Sequence, residues 1–111
     1  MAASDRQLKH WMEKYDRAYW NGELASHIII YWEPPPDAHA STCPVYEVDA
    51  GQFVIKLDPA VKGTPFAWKV LLLHEMTHVA LWTKHPKHQH GKLFKGEIRR
   101  LLDAGAFDQL L

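Results

Sequence analysis

A first helix is predicted by apolar residues that recur every three or four positions near the N-terminus. Ser4 is its expected N-cap, and Asn21-Gly22 is a stop signal, because glycine readily adopts the left-handed conformation that ends many helices. The apolar positions between these signals are Leu8, Trp11, Met12, Tyr15, Ala18 and Tyr19. Their spacing places them on one side of an amphipathic helix.

Strands are predicted in the middle of the chain. His27 to Trp32 is β-branched and aromatic, and it ends before three consecutive prolines, which cannot continue a ladder. Residues 34–44 are rich in proline, alanine and serine and are expected to form a loop. Val45 to Val48 is a candidate short strand. Gln52 to Leu57 is a clearer one, with every second residue apolar on the side expected to be buried.

Two further helices are expected downstream. The stretch from about Phe66 to Trp82 predicts a long helix, which Pro86 in the following polar segment prevents from continuing. Another helix should begin near His90 or Lys92, and Phe107 to Leu111 is expected to add a last turn docked on the core. The inner contacts are assigned to Val70, Leu71, Leu73, Thr77, Leu81 and Trp82 in the long helix, and to Leu93, Phe94, Ile98, Leu101 and Leu102 in the next. This order predicts an α+β fold with a small, about three-stranded sheet.

Length and composition are those of one globular domain spanning residues 1–111. The chain is 47% hydrophobic and 23% charged, with nothing that indicates a fibre or disorder. Its single cysteine, Cys43, excludes an internal disulfide, and the N-terminal residues include no apolar leader. The longest aliphatic runs are too short to cross a bilayer. We therefore expect an intracellular, cytoplasmic protein.

The net charge is zero, but the charges are unevenly distributed. Residues 1–60 carry five basic and nine acidic side chains, whereas residues 84–100 carry six basic side chains against Glu97 alone. The basic stretch from Lys84 to Arg100 could make a weak contact with nucleic acid, or it could be a solvated helix face. A strong basic footprint is missing, which disfavours a dedicated DNA-binding module.

The long predicted helix contains the motif His-Glu-x-x-His, from His74 to His78. Histidines four residues apart project from one face of a helix, and two neutral imidazoles suit zinc. Glu75 lies beside the pair, where a carboxylate can take a proton from a zinc-bound water and return it to a leaving amine. The motif therefore predicts a zinc site on His74 and His78 with Glu75 as the catalytic base.

A catalytic zinc site of this type needs a third protein ligand. His90 is favoured, because the polar loop before it is long enough for the chain to reverse and return to the first two ligands. His88 and Glu97 are alternatives, whereas His85 follows His78 too closely to fold back. The upstream histidines, His10, His27 and His39, match no ligand spacing and are expected to be surface or structural residues.

Several stretches resemble the SprT-like family of zinc metallopeptidases, which includes the Spartan proteases. The resemblance covers roughly residues 8–102, through Tyr19 to Leu24, Phe53 to Leu57, Leu71 to Trp82 and the segment His90-Gly91-Lys92-Leu93-Phe94. It implies a minimal zincin-like domain, one catalytic zinc on His74, His78 and His90, and peptide-bond hydrolysis through Glu75. It also implies a protein or peptide substrate, with DNA-associated proteins included. In zincins generally, the substrate lies extended beside an edge strand, which we expect here to be Gln52 to Leu57.

The sequence departs from the family's pattern in two ways. The four-cysteine zinc ribbon that many members carry is not found, and the loop between His78 and His90 is short compared with that of other members. No residue is clearly assigned to stabilise an oxyanion, and Tyr46 is only a guess.

Two other functions stay open: a non-catalytic, zinc-stabilised interaction domain, and a peptide deformylase-like hydrolase with Cys43 as the third ligand. Glu75 argues against the first, because a structural zinc site has no use for that carboxylate. The sequence around Cys43 argues against the second.

Overall fold

The computed structural model describes residues 4–34, 45–49, 52–84 and 91–108, and for residues 45–49 and 83–84 it describes the backbone alone. In this part of the chain the order is helix, three strands, helix, helix, as the sequence predicts. The elements are α1 (Arg6–Tyr19), β1 (Ile28–Trp32), β2 (Val45–Asp49), β3 (Gln52–Leu57), α2 (Pro65–Lys84) and α3 (Lys92–Asp103). The α+β fold class is thereby confirmed.

The start of α1 corrects the predicted N-cap. Asp5, not Ser4, caps the helix, and its carboxylate accepts a hydrogen bond from the amide of Leu8 at 3.0 Å. Ser4 instead accepts a bond from the amide of Ile30 at 3.0 Å, while the Asp5 amide donates to the Ile30 carbonyl at 2.7 Å. Ser4 and Asp5 thus hydrogen-bond the amide and the carbonyl of Ile30 on the outer edge of β1. Local capping preferences do not reveal such a long-range pairing.

The end of α1 lies at the predicted stop signal. Asn21 and Gly22 both have positive φ angles, of 56° and 77°. The buried carboxylate of Asp16 then accepts hydrogen bonds from the amides of Leu24 at 3.0 Å and Ala25 at 2.8 Å. This side chain fixes the direction in which the chain leaves α1 and enters β1.

The sheet has the strand order β1-β3-β2, with β1 parallel to β3 and β2 antiparallel to it. A register shift interrupts the second pairing between Glu47 and Asp49. Because β3 is the central strand, the expectation that Gln52 to Leu57 forms an open edge was wrong. The edges of the described sheet are β1 and β2.

One face of the sheet and the inner side of α1 enclose α2. Buried residues lie on every side of this helix, and the predicted stripe covers only part of them: Trp68, Leu72, Leu73, Met76, Val79, Ala80 and Leu81 are all buried. Trp68 meets the rings of Trp11 and Trp32 edge-on, which joins α1, β1 and α2 around one indole. From Leu72 to Leu81 every residue except His74 is buried, so this part of α2, which carries the motif, is a core segment.

Helix α3 packs through a narrower stripe than predicted. Leu101 is fully buried and Ile98 is half-buried, but Leu93 is 41% exposed and Leu102 is 51% exposed. Both residues were wrongly assigned to the core. Leu93 precedes Phe94 and Leu102 follows Leu101, so each lies about 100° around the helix from a residue that packs inward, at the margin of the buried stripe. Phe107 packs against the core, and residues 109–111 of the predicted last turn lie outside the described residues. No described helix has both the length and the apolar character needed to cross a bilayer.

Candidate metal centre

His74 and His78 are brought together by a single turn of α2. Their Nε2 atoms are 3.2 Å apart, with the ring centroids 4.9 Å apart and the ring planes inclined at 74°. Two nitrogen ligands at the usual distance from a tetrahedral zinc ion would be separated by about 3.3 Å. The pair therefore fits such an ion with little rearrangement.

Glu75 is a buried carboxylate beside the histidine pair. It is only 5% exposed, and its Oε1 atom lies 4.0 Å from Nε2 of His74. One ligand atom from each of His74, Glu75 and His78 can be chosen so that all three lie within 4.8 Å of one another. In the metal-free protein, burial raises the pKa of Glu75 to about 8. A cation on the histidines would favour the ionised form and lower that pKa again.

The site opens to solvent on the His74 side. The His74 side chain is 41% exposed, whereas His78 is buried. Thr77, which lies between the two histidines in sequence, is buried, and its hydroxyl donates a hydrogen bond to the Leu73 carbonyl at 2.8 Å. Solvent therefore reaches the histidine pair at His74, whereas the core covers His78.

Phe94 of α3 packs against both imidazoles of the pair. Its ring centroid lies 4.6 Å from that of His78 and 5.0 Å from that of His74. The sequence assigned Phe94 to a general buried stripe and missed this contact. The available signal was its place four residues after His90, the expected third ligand.

The histidines expected to supply the third ligand lie outside the described residues. His90, His88 and His85 all lie outside the described residues, as does Cys43, and the Tyr46 side chain is likewise not described. His90 therefore stays a prediction. His10 and His27, which matched no ligand spacing, are exposed, and His39 is outside the described part.

Glu97, the carboxylate alternative, is engaged elsewhere. Its Oε1 accepts a hydrogen bond from Nε of Arg100 at 2.7 Å. Both side chains line a cavity of about 320 Å³ between the end of α1 and the C-terminal half of α2, with Trp20 and Leu81 on its walls. The described cluster of possible metal ligands does not include Glu97. This favours a histidine as the third ligand.

The comparison with protein families identifies the chain. The model of the SprT-like family matches residues 8–108. No curated protein and no solved structure matches the chain. Because the family match spans nearly the whole sequence, the chain belongs to the SprT-like family, which confirms the resemblance found in its motifs.

Proposed function

We propose that this SprT-like protein is a zinc-dependent peptidase. His74, His78 and His90 hold the metal in this proposal, and Glu75 is the catalytic base. The observation that supports it most is the pair of Nε2 atoms 3.2 Å apart with a buried carboxylate beside them. The alternative is a non-catalytic, zinc-stabilised interaction domain, in which that carboxylate has no purpose.

The chemistry divides between the metal and the protein's own side chains. When bound, zinc supplies a Lewis acid that polarises a peptide carbonyl and lowers the pKa of water. His74 and His78 bind through neutral imidazoles, so the site loads best above the ordinary pKa of histidine. Glu75 takes the proton from the attacking water on a carboxylate oxygen and passes it to the departing amine. Its position suits both steps, because a bound cation would keep this buried carboxylate ionised until it accepts the proton from water.

The substrate is proposed to bind as an additional strand on β2. The outer edge of β1 is already bonded to Ser4 and Asp5 at Ile30. Among the described residues, β2 has β3 as its one strand partner. An extended peptide could therefore pair its main chain with the free side of β2, as in β-strand addition.

The register identifies the groups available on that side. Leu57 of β3 accepts a hydrogen bond from the amide of Glu33, so odd-numbered residues of β3 direct their main-chain groups towards β1. Even-numbered residues therefore face β2, where the residue in register with position 54 is Tyr46. Alternation along β2 then directs the amide and carbonyl groups of Val45 and Glu47 outward.

Contact with nucleic acid is a weaker proposal. The basic stretch from Lys84 to Arg100 supports it, but Arg99 lies 3.4 Å from Asp103 and Arg100 pairs with Glu97. Lys92 and Lys95 are the described basic residues of α3 left outside these pairs. If these two lysines contact phosphates of single-stranded DNA, a plot of the logarithm of the binding constant against the logarithm of the salt concentration would have a slope of only about −1.4. We therefore propose that the substrate is a protein or peptide and that any contact with DNA is weak.

The proposed function is tested with an unfolded protein substrate, with and without single-stranded DNA and with a chelator control. The zinc-loaded protein should cleave it, and Glu75→Gln should keep about one zinc per chain while cleavage falls by roughly a hundredfold or more. Glu13→Gln, on α1, is the matched control and should cleave normally. Cleavage that persists in Glu75→Gln, or in the presence of chelator, would remove the proposal. Zinc binding without any cleavage would favour the interaction domain.

A further inference from the structure

We propose that Phe94 is a positioning residue for the metal centre, an inference that rests on the proposed function and deepens it. Its ring holds both imidazoles in the orientation in which their Nε2 atoms converge. Phe94 thereby sets the affinity for zinc without being a ligand.

The contact geometry carries this inference. The rings of Phe94, His74 and His78 form a compact triangle, with centroid separations of 4.6, 4.9 and 5.0 Å. The plane of Phe94 is inclined by 30° to that of His78 and by 60° to that of His74. A 180° flip of either imidazole exchanges Nε2 for a carbon atom and must sweep the ring past Phe94. Because the terminal torsion of histidine is otherwise broad, this packing selects one orientation from several.

Phe94 also joins α3 to the histidine pair. The helix begins after Gly91, which has a φ of 151° and provides no side-chain cap. The first two helical residues, Lys92 and Leu93, are exposed, so Phe94 is the partly buried residue of the first turn. Its contact with α2 therefore fixes where α3 starts relative to His74 and His78.

The consequence for binding is preorganisation. Ligands whose orientation is set by the fold lose less conformational freedom when a metal binds. Groups that orient metal ligands without touching the metal typically change its affinity by ten- to a hundredfold. Removal of the Phe94 ring should fall in that range, because it releases two of the ligands at once.

The test compares variants of the full-length protein in two measurements. Zinc affinity is measured by competition with a chromophoric chelator, at a temperature where each variant is folded by circular dichroism. Phe94→Leu should bind zinc 10- to 100-fold more weakly, whereas Phe94→Tyr, which keeps the ring, should stay within about threefold of the unsubstituted protein. In the metal-free protein, the imidazole ¹⁵N–¹H signals of His74 and His78 should lose their ring-current shifts and broaden in Phe94→Leu alone.

A matched control separates positioning from general support of the fold. Ile98→Ala removes an apolar side chain one turn further along the same stripe of α3, without a ring on the histidines. It should lower the free energy of unfolding, yet leave zinc affinity and the imidazole signals unchanged. Equal zinc affinity in Phe94→Leu and the unsubstituted protein, or an equal loss in Ile98→Ala, would overturn the inference.

Failure of the proposed function gives a different pattern. If the unsubstituted protein binds one zinc but cleaves nothing, the peptidase proposal is lost, and the Phe94 comparison still decides its role. If it binds no zinc, both are overturned. A loss of affinity in Phe94→Leu together with normal cleavage by the unsubstituted protein supports both.

Discussion

Replacing Glu75 by glutamine should stabilise the metal-free protein, and the gain should increase with pH. The carboxyl group is buried beside His74, and that burial raises its pKa from 4.5 to about 8. Between these two values the folded protein holds a proton on Glu75 that the unfolded chain has lost. The free energy of unfolding therefore falls as pH rises through this window and becomes level above about pH 8. Glutamine cannot ionise, so the variant lacks this contribution.

The magnitude follows from the width of the window. Each pH unit inside it corresponds to about 1.4 kcal/mol, so a window of roughly 3.5 units sets a ceiling of roughly 5 kcal/mol at pH 8. Small domains are stable by about 5–15 kcal/mol in total, so this one group could remove a third of the stability or more. Protonated His74, 4.0 Å away, would favour the ionised carboxylate and reduce the slope wherever it carries a proton.

Urea unfolding at a series of pH values between 4 and 9, with chelator present, measures the effect. The difference in unfolding free energy between Glu75→Gln and the unsubstituted protein should be small at pH 4 and largest at pH 8. Glu13→Gln should follow the unsubstituted protein throughout, which corrects for the other titrating groups. Saturating zinc should abolish most of the difference, because a bound cation stabilises the ionised carboxylate.

Two parallel curves would refute this reasoning. They would show that the Glu75 carboxylate is as well solvated in the folded protein as in the unfolded chain. A difference that grows towards low pH would be equally damaging, since it would mean that the fold stabilises the ionised form without a metal.

Three further predictions concern single contacts. Asp16→Ala should lower the free energy of unfolding by about 3–5 kcal/mol, because the buried amide of Leu24 and the part-buried amide of Ala25 lose a charged acceptor. Asp16→Asn should lose about half as much, and urea unfolding measures both. Gly105→Ala should cost about 1–2 kcal/mol, because its φ of 81° disfavours a side chain, whereas Gly63→Ala, with open space around it, should be neutral by the same assay. Zinc should raise the melting temperature of the unsubstituted protein in thermal denaturation, and His78→Ala should abolish that increase; an increase that survives in the variant would remove His78 from the site.

The elements of this fold are local and were predictable, whereas their arrangement was not. The stop signal at Asn21-Gly22 and the alternation of Gln52 to Leu57 depend on neighbours in sequence, and both predictions are confirmed. The central position of β3 depends on its pairing with both β1 and β2, and the periodicity of a single strand does not predict which strands it pairs with. The same limit explains Ser4, whose partner is Ile30 on β1 and not the helix that follows it.

The candidate site divides in the same way. His74, Glu75 and His78 share one turn of α2, so helical geometry alone predicted their proximity. Contacts that cross from α3 depend on the angle between two helices. For that reason the sequence did not reveal the packing of Phe94 on the histidines. The assignment of His90 is of this second kind, and it stays a prediction. The pairing of Glu97 with Arg100 lies within α3, three residues apart, so helical spacing could have revealed it.

The burial of Glu75 is itself an argument for chemistry. Its neighbours on α2, including Leu72 and Met76, are fully buried apolar residues, and an apolar side chain at position 75 would suit the core better than a carboxylate. Thr77 is also buried, but its hydroxyl is satisfied by the carbonyl of the preceding turn. Among the described residues, the imidazoles of His74, at 4.0 Å, and His78 lie beside the Glu75 carboxylate. A carboxylate buried among apolar residues beside two converging imidazoles is a candidate for a functional group, and this supports the proposed role of Glu75.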